Sequence, residues 1–423
     1  MKKCLLINPP IYDFTAYDFW LKPYGMLTVA GMLRGRAEFT LFDFLDRSDT
    51  SADRDLYHRG PFAHKRIPKP KPLIHIPRIY NRFGLPPELF RQFLKDNPTP
   101  DFAFIQTGMT YWYPGVVEVI NEIKELSPNT KIILGGPYAT ICADHAKSIG
   151  ADLVIGADNL APLWQYISME PDLSQPPLWE LYDNLKVGAI KLTTGCPCKC
   201  TYCFIPQYFP DFKTHSLNDC IAQLDLMLNL GATDIAFYDD ALLHKPDQTL
   251  IPFLNYIIEN DIKINLHTPN AVHARLLKPD LAKLMVTAGF KTFYLGYESS
   301  SEAFQKNTGS KLTATDLANA VENLLSAGTD KKNIVAYEIL GHPNSDLQNI
   351  EASMRYANLL GIKIMLADFS PIPGTPDGEF CKKYVDLDEP LNHNKTAFPY
   401  TILGENKVNH IKQLCKQFNR NVK

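Results

Sequence analysis

The sequence predicts an α/β protein with two successive regions of parallel sheet. In residues 1–165, short apolar runs typical of buried strands alternate with segments of helical periodicity, which indicates a doubly wound, Rossmann-like sheet. From about residue 185 to 376 the chain repeats strand, loop and helix, with strands predicted at residues 189–193, 234–238, 263–266, 292–296, 334–339 and 363–368. Residues 377–423 are too short for another independent domain, and we expect them to cap the second region.

Bulk composition limits the classes of function. The net charge of −3 and the 21% of charged residues give no reason to expect a nucleic-acid partner. No apolar run approaches the roughly 20 residues needed to span a bilayer, and the first apolar run is too short for a signal peptide. Nine cysteines in such a chain suggest metal ligands or buried thiols rather than disulfides, which predicts a reducing, cytoplasmic location.

The first region has five predicted strands, at residues 3–8, 39–44, 102–106, 131–134 and 153–155. In doubly wound sheets, ligands bind across the carboxyl ends of the strands. Here those ends carry small residues and prolines. The segments concerned are residues 8–10, 107–110, 135–138 and 156–158.

An insertion of residues 48–100 separates the second and third predicted strands. It contains a basic run at residues 65–72 in which proline and lysine alternate, a composition that keeps a segment extended and solvated. The insertion could be a surface strap, or a lid whose lysines and arginines meet an anionic substrate.

Four cysteines, Cys196, Cys198, Cys200 and Cys203, directly follow the first predicted strand of the second region. Cys196, Cys200 and Cys203 form a C-x3-C-x2-C set, and three thiolates would leave one iron of a [4Fe–4S] cluster open to a ligand. The same thiolates could instead hold zinc, although no second ligand pair lies nearby. Cys198 is then either a surplus thiol or a fourth ligand that would close the site.

This motif, with Gly195 before it and Tyr202 before the last cysteine, resembles the signature of the radical S-adenosylmethionine (radical SAM) superfamily. The resemblance implies a partial (β/α)6 barrel of the TIM type and an open iron that binds S-adenosylmethionine (SAM). It also implies reductive cleavage of SAM to a 5′-deoxyadenosyl radical. A flavodoxin- or ferredoxin-type electron donor and a small-molecule or natural-product substrate would be the partners.

The resemblance places SAM-binding residues at successive strand ends. Asp239 and Asp240 follow the second strand, where an ammonium group needs acceptors. Glu298 follows the fourth strand, at the position that hydrogen-bonds the SAM ribose in the family. Tyr202 and Pro373 would lie near the adenine, as would the segments 338–343 and 370–376. Each acid could alternatively be an ordinary solvated loop residue.

The first region resembles the cobalamin-binding domain that precedes the barrel in many radical SAM proteins, with residues 23–25 and 135–140 as the nearest matches. The sequence contains no Asp-x-His-x-x-Gly, so no histidine ligand to cobalt is assigned. A domain that keeps this fold but binds nothing is the alternative. The residues implied for cobalamin are Pro10, Gly25, Gly108, Met109, Gly135, Gly136 and Tyr138.

The resulting expectation is a radical SAM enzyme that depends on cobalamin. Its reaction would be methyl transfer to an unactivated centre or a radical rearrangement. One alternative keeps SAM cleavage but binds no cobalamin. Another is a non-catalytic iron–sulfur or zinc protein.

Overall fold

The computed structural model describes residues 1–47, 55–309 and 312–422. It contains two compact units. The first consists of Met1–Lys186, Leu226–Gly231 and Leu387–Asn394, and the second of Val187–Asp225, Ala232–Asp386 and Lys395–Lys423. The segment 377–423, expected to be a single cap, is therefore divided, because residues 387–394 pack with the first unit.

The first unit is built on a parallel sheet of five strands. They are β1 Lys2–Asn8, β2 Ala37–Asp43, β3 Phe102–Gln106, β4 Lys131–Gly135 and β5 Leu153–Ile155. Their order is β5-β4-β3-β1-β2, and all pairs are parallel. The predicted doubly wound sheet is confirmed, and its topological switch point lies between β1 and β3.

Apolar residues on both faces of these strands explain the fold. The consecutive residues Leu5, Leu6 and Ile7 of β1 point alternately to the two faces and are all almost completely buried, as expected for parallel strands covered on both sides. The helices that cover the sheet begin after the strands. They are α1 Tyr24–Gly31, α2 Pro87–Asp96, α3 Tyr113–Leu126, α4 Pro137–Ile141, α5 Ala143–Ser148 and α6 Ala161–Ile167.

The described part of the insertion is folded into the first unit. Strands His64–Arg66 and Asn81–Phe83 form an antiparallel sheet with Ile11–Asp13. Arg82 anchors it, because its Nε and Nη2 donate to the two carboxylate oxygens of Glu118 at 2.8 and 2.6 Å. Residues 48–54 of the predicted insertion lie outside the described residues.

The second unit contains six parallel strands in sequential order. They are β6 Val187–Ile190, β7 Asp234–Phe237, β8 Asn265–His267, β9 Phe290–Glu298, β10 Ile334–Leu340 and β11 Lys363–Asp368. This open, six-stranded α/β arrangement is the predicted partial barrel. Active groups of such folds lie at the carboxyl ends of the strands.

The remaining helices are α7 Ile205–Tyr208, α8 Leu217–Asn229, α9 Leu250–Glu259, α10 Pro279–Thr287, α11 Glu302–Asn307, α12 Ala314–Ser326, α13 Leu347–Leu359, α14 Pro376–Cys381, α15 Ala397–Leu403 and α16 Glu405–Arg420. Several begin with side-chain caps, which fix where the preceding loops end. Ser301, Thr313, Asp346 and Thr375 each accept a backbone N–H in the first turn.

Across the described ranges, no helix has the length and apolar character needed to cross a membrane.

Candidate functional site

The four cysteines lie in a loop after β6 that is closed at its base. Thr193–Thr194 pairs antiparallel with Lys213–Thr214. Gly195, at the entry, has φ of +81°, and a Cβ there would lie 2.6 Å from the carbonyl oxygen of Asp211. The loop therefore requires glycine where it leaves the ladder.

The thiols of this loop influence one another. The pKa of Cys196 is raised, first by a hydrogen bond with the Cys198 side chain, then by burial and by the nearby Cys203. Over the residues that the structure describes, no three Cys, His, Asp or Glu side chains converge into a metal-binding arrangement. The donor set still fits an iron–sulfur cluster or zinc chemically, because both metals take soft thiolates.

Asp239 and Asp240 contact the approach to the cysteine loop. Asp239 is buried, and its Oδ1 accepts hydrogen bonds from the backbone N–H groups of Leu192 and Thr193 at 3.0 and 2.6 Å. Burial raises the pKa of Asp239 to about 7, although these hydrogen bonds oppose the rise. Asp240 Oδ2 accepts from the backbone N–H of Gly195 at 3.3 Å. Both acids thus orient the loop, and Asp239 Oδ2 has no protein partner within the described chain.

Glu298 lies where β9 ends, in a left-handed backbone conformation with φ of +66°. The strand register is irregular between Gly296 and Glu298. Glu298 lies close enough to Tyr202 to affect it: burial raises the pKa of Tyr202, and Glu298 and Cys200 raise it further. The structure therefore brings Glu298, Tyr202 and the cysteine loop together.

Glu338 begins the segment 338–343 that is expected near the adenine, but the sequence gives it no role of its own. It is paired in register with Glu298, is 1% exposed, and neither carboxylate oxygen has a partner in the described ranges. Burial raises its pKa well above the usual value, and the neighbouring Glu298 adds to this. No motif marks this residue, because only the strand register reveals its neighbour.

Pro373 lies in the loop after β11. Its neighbour Gly374 accepts a hydrogen bond from the side-chain amide of Gln207, which belongs to the helix that follows the cysteines. The loop that contains Pro373 is therefore attached to the cysteine segment.

A cleft in the first unit lies at the switch point between β1 and β3. The space between its walls, counted together with adjoining open solvent, is about 480 Å³. Four of the residues expected to bind cobalamin line it: Pro10, Gly108, Met109 and Tyr138. Lys22 and Trp112 also line it, and sequence reasoning missed both.

The other three glycines expected at the cofactor are not among the lining residues. Gly136 has φ of +110°, and a Cβ there would lie 2.3 Å from the carbonyl oxygen of Thr107, so it is needed by the fold itself. Gly25 and Gly135 have open surroundings. Trp112 packs over Gly108, and its Nε1–H donates to Asp13 Oδ2 at 2.9 Å, which fixes the ring as a wall of the cleft.

Comparison with known proteins decides the family of the second region. Residues 190–357, which include the cysteine loop, both strand-end aspartates and the glutamate pair, match the model of the Radical SAM superfamily. Residues 190–357 are a radical SAM domain. The position of the cysteines at the carboxyl edge of six parallel strands agrees with this family.

The curated relatives of this chain are distant in sequence. An uncharacterized methyltransferase of Synechocystis sp. is 23% identical over 344 residues, covering 75% of this chain and 55% of the relative. The threonylcarbamoyladenosine tRNA methylthiotransferase MtaB of Thermotoga maritima is 24% identical, covering 62% of this chain and 64% of the relative. The chain thus spans less than two thirds of these curated relatives.

Solved structures share the fold along nearly the whole chain. The radical SAM methyltransferase TsrM of Kitasatospora setae, solved with cobalamin and a [4Fe–4S] cluster, aligns with a TM-score of 0.69 at 14% identity, over 98% of this chain and 91% of TsrM. The cobalamin-dependent radical enzyme OxsB aligns with a TM-score of 0.58 at 13% identity, over 99% of this chain and 61% of OxsB. The similarity includes the first unit as well as the radical SAM domain.

Proposed function

We propose that the chain is a radical SAM enzyme that cleaves SAM reductively, with Cys196, Cys200 and Cys203 holding a [4Fe–4S] cluster. The observation that carries the proposal is the C-x3-C-x2-C loop at the carboxyl edge of the radical SAM domain, with Tyr202 and Glu298 beside it. When bound, the cluster supplies one electron to the sulfonium of SAM, which separates into methionine and a 5′-deoxyadenosyl radical.

The protein's own residues would bind and orient SAM. Asp239 Oδ2, which lacks a protein partner in the described ranges, and Asp240 offer acceptors for the ammonium group. Glu298 is an acceptor for ribose hydroxyls, and its left-handed backbone fixes the carboxylate at the strand end. Tyr202 and Pro373 supply apolar surface near the adenine.

The first unit would bind cobalamin at the switch-point cleft. Support comes from the location of the cleft, from the small residue Gly108 in its lining and from its aromatic wall at Trp112. The fold of the whole chain is shared with proteins solved with cobalamin. Methyl transfer to an unactivated centre, or a radical rearrangement, would follow, on a small-molecule or natural-product substrate and with a flavodoxin- or ferredoxin-type donor.

Anaerobic reconstitution tests the proposal. We expect about four irons and four sulfides per chain, and 5′-deoxyadenosine after reduction in the presence of SAM. Cys196→Ala, Cys200→Ala and Cys203→Ala should abolish both, while Cys198→Ala, the matched control in the same loop, should retain both. Bound zinc, or a reconstituted cluster that never yields 5′-deoxyadenosine, would contradict the proposal.

A further inference from the structure

The middle of the cysteine loop is fastened to the start of α14. Thr201, between Cys200 and Tyr202, donates its hydroxyl hydrogen to Asp377 Oδ2 at 2.6 Å. In the other direction, the backbone N–H of Asp377 donates to the carbonyl oxygen of Thr201 at 3.2 Å. Two hydrogen bonds between the same residues fix both the side chain and the backbone of Thr201.

His342, in the loop after β10, completes the network. Its Nε2 lies 2.9 Å from the same Asp377 Oδ2. The backbone N–H of Asn344 donates to His342 Nδ1 at 3.1 Å, so the proton that is shared with Asp377 lies on Nε2. The ring is 1% exposed and is held edge-to-face by Phe304 and Phe369.

The carboxylate of Asp377 is ionised in this environment. Burial alone would raise its pKa, but the hydrogen bonds from His342 and Thr201 outweigh burial and hold the pKa below the usual value. Hydrogen bonds to an ionised acceptor are shorter and stronger than neutral ones. The hydrogen bonds to Asp377 therefore restrain Thr201 more strongly than ordinary loop contacts would.

The backbone on the other side of the loop is fixed as well. The N–H of Thr201 donates to the carbonyl oxygen of Thr308 at 3.3 Å. Gly309 has φ of +123°, and a Cβ there would lie 3.1 Å from Cys200 Cα. Cys200 thus lies next to the end of α11, and the residue that follows it, Thr201, is hydrogen-bonded to Asp377.

We propose that Thr201, Asp377 and His342 are positioning residues that hold the cysteine loop in the conformation that assembles and retains the cluster. They would act through Cys200 and Tyr202, without binding iron. The network also joins the loop to the segments after β10 and β11, both expected near the adenine, so SAM binding and cluster geometry would be coupled through it. This inference rests on the proposed function.

Thr201→Val and Thr201→Ser form the matched test. Valine keeps the shape of threonine and removes the hydroxyl donor, whereas serine keeps the donor. We expect the cluster of Thr201→Val to lose iron to an anaerobic chelator about 10 times faster than wild type, with an altered electron paramagnetic resonance signal of the reduced cluster when SAM is added. Thr201→Ser should resemble wild type in both measurements.

Controls separate the possible failures. Glu322→Ala, an exposed acid on α12, should retain wild-type iron release. A wild type without any cluster would refute the proposed function, whereas a cluster-bearing wild type with an indistinguishable Thr201→Val variant would overturn this inference alone. A lower melting temperature of apo Thr201→Val with unchanged iron release would mean that the network only stabilises the fold. That result would also overturn the inference. If Thr201→Val does not fold, Asp377→Asn replaces it in the test, because asparagine keeps an acceptor oxygen but no charge. Faster iron release from Asp377→Asn would support the inference, and a wild-type rate would overturn it.

Discussion

The pairing of Glu298 and Glu338 across adjacent strands is the least expected arrangement at the residue scale. Glu338 is buried without a hydrogen-bond partner in the described chain, so an ionised carboxylate there would be costly. Its raised pKa means that the folded protein keeps a proton on Glu338 at pH values where the unfolded chain has released it. Glu298 adds to the cost of ionising Glu338, because the two residues are paired in register on adjacent strands.

Glu338→Gln should change how stability depends on pH. Because the folded pKa lies above the unfolded value, the contribution of Glu338 is fully present below about pH 4.5 and is lost as pH rises toward the folded pKa. Between pH 5 and 7, the difference in unfolding free energy between wild type and Glu338→Gln should change by up to about 1.4 kcal/mol per pH unit. Denaturant titrations at several pH values measure it.

The exposed control Glu322→Gln should give a curve parallel to wild type. Parallel curves for wild type and Glu338→Gln would show instead that Glu338 is ionised in the folded state.

Glu298 and Asp240 should contribute to SAM binding. Losing one charge-assisted hydrogen bond in Glu298→Gln or Asp240→Asn should weaken SAM binding by about 1–3 kcal/mol. Calorimetric titration of the reconstituted variants, with iron content unchanged, measures this. Glu302→Gln on α11, which is exposed, is the control, and wild-type SAM affinity in both site variants would exclude these acids as ligands. Asp239 is a poorer probe, because its buried carboxylate accepts from two backbone N–H groups, of Leu192 and Thr193, whereas Asp240 accepts one longer backbone hydrogen bond, from Gly195.

At the scale of elements, the residues around the cleft between β1 and β3 differ in how well their substitution can test cobalamin binding. Gly136 is required by the turn after β4, so a large side chain there would disturb the sheet whether or not cobalamin binds. Met109 lines the cleft and is 47% exposed, so it can be enlarged without filling the core.

Met109→Trp should therefore obstruct cobalamin binding while leaving the fold intact. We expect at least a tenfold weaker affinity, measured by absorbance titration with cobalamin, because the larger ring occupies part of the cleft. Leu89→Trp is the matched control, since Leu89 on α2 is 49% exposed and does not line the cleft. Tight cobalamin binding to Met109→Trp would mean that the corrin binds elsewhere. A wild type that binds no cobalamin would show that the first unit is not a cobalamin-binding domain.

Much of the architecture at this scale was predictable from the sequence. Continuous apolar runs such as residues 3–8 and 102–106 placed the strands, because buried parallel strands need apolar side chains on both faces. The cysteine spacing identified the loop after β6. The pairing of His64–Arg66 with Asn81–Phe83 was not predictable, since the first strand is exposed and polar and the second buries two polar residues, so neither shows an apolar pattern. Trp112 was missed, and the burial of Glu338 beside Glu298 was not foreseen, because both features depend on packing and strand register.

At the scale of the whole molecule, the first unit is completed by a distant part of the chain. Asn394 Nδ2 donates to the buried Asp13 Oδ1 at 2.8 Å, and His393 Nδ1 lies 2.9 Å from Thr110 Oγ1. Tyr113 donates its hydroxyl hydrogen to Glu389 Oε1 at 3.3 Å. Local patterns cannot predict contacts between residues 381 positions apart, so the sequence placed this segment in a single C-terminal cap.

Asn394→Leu should destabilise the first unit selectively. It removes a hydrogen bond from a buried carboxylate that also holds Trp112, a loss of about 1–3 kcal/mol. Hydrogen exchange should accelerate in β3 and α3 more than in β9 to β11. The exposed Asn409→Leu should leave exchange in the first unit unchanged. Uniform acceleration across both units would contradict a selective role for residues 387–394.

The placement of residues 387–394 also has a consequence for biosynthesis. After residue 186 the ribosome must add about 200 residues before this segment exists, which takes roughly 10–40 s at about 5–20 residues per second. Until then Asp13 and Thr110 lack partners that they have in the finished protein. The nascent first unit therefore stays incomplete until the radical SAM domain has been translated, although most of its own sequence comes first.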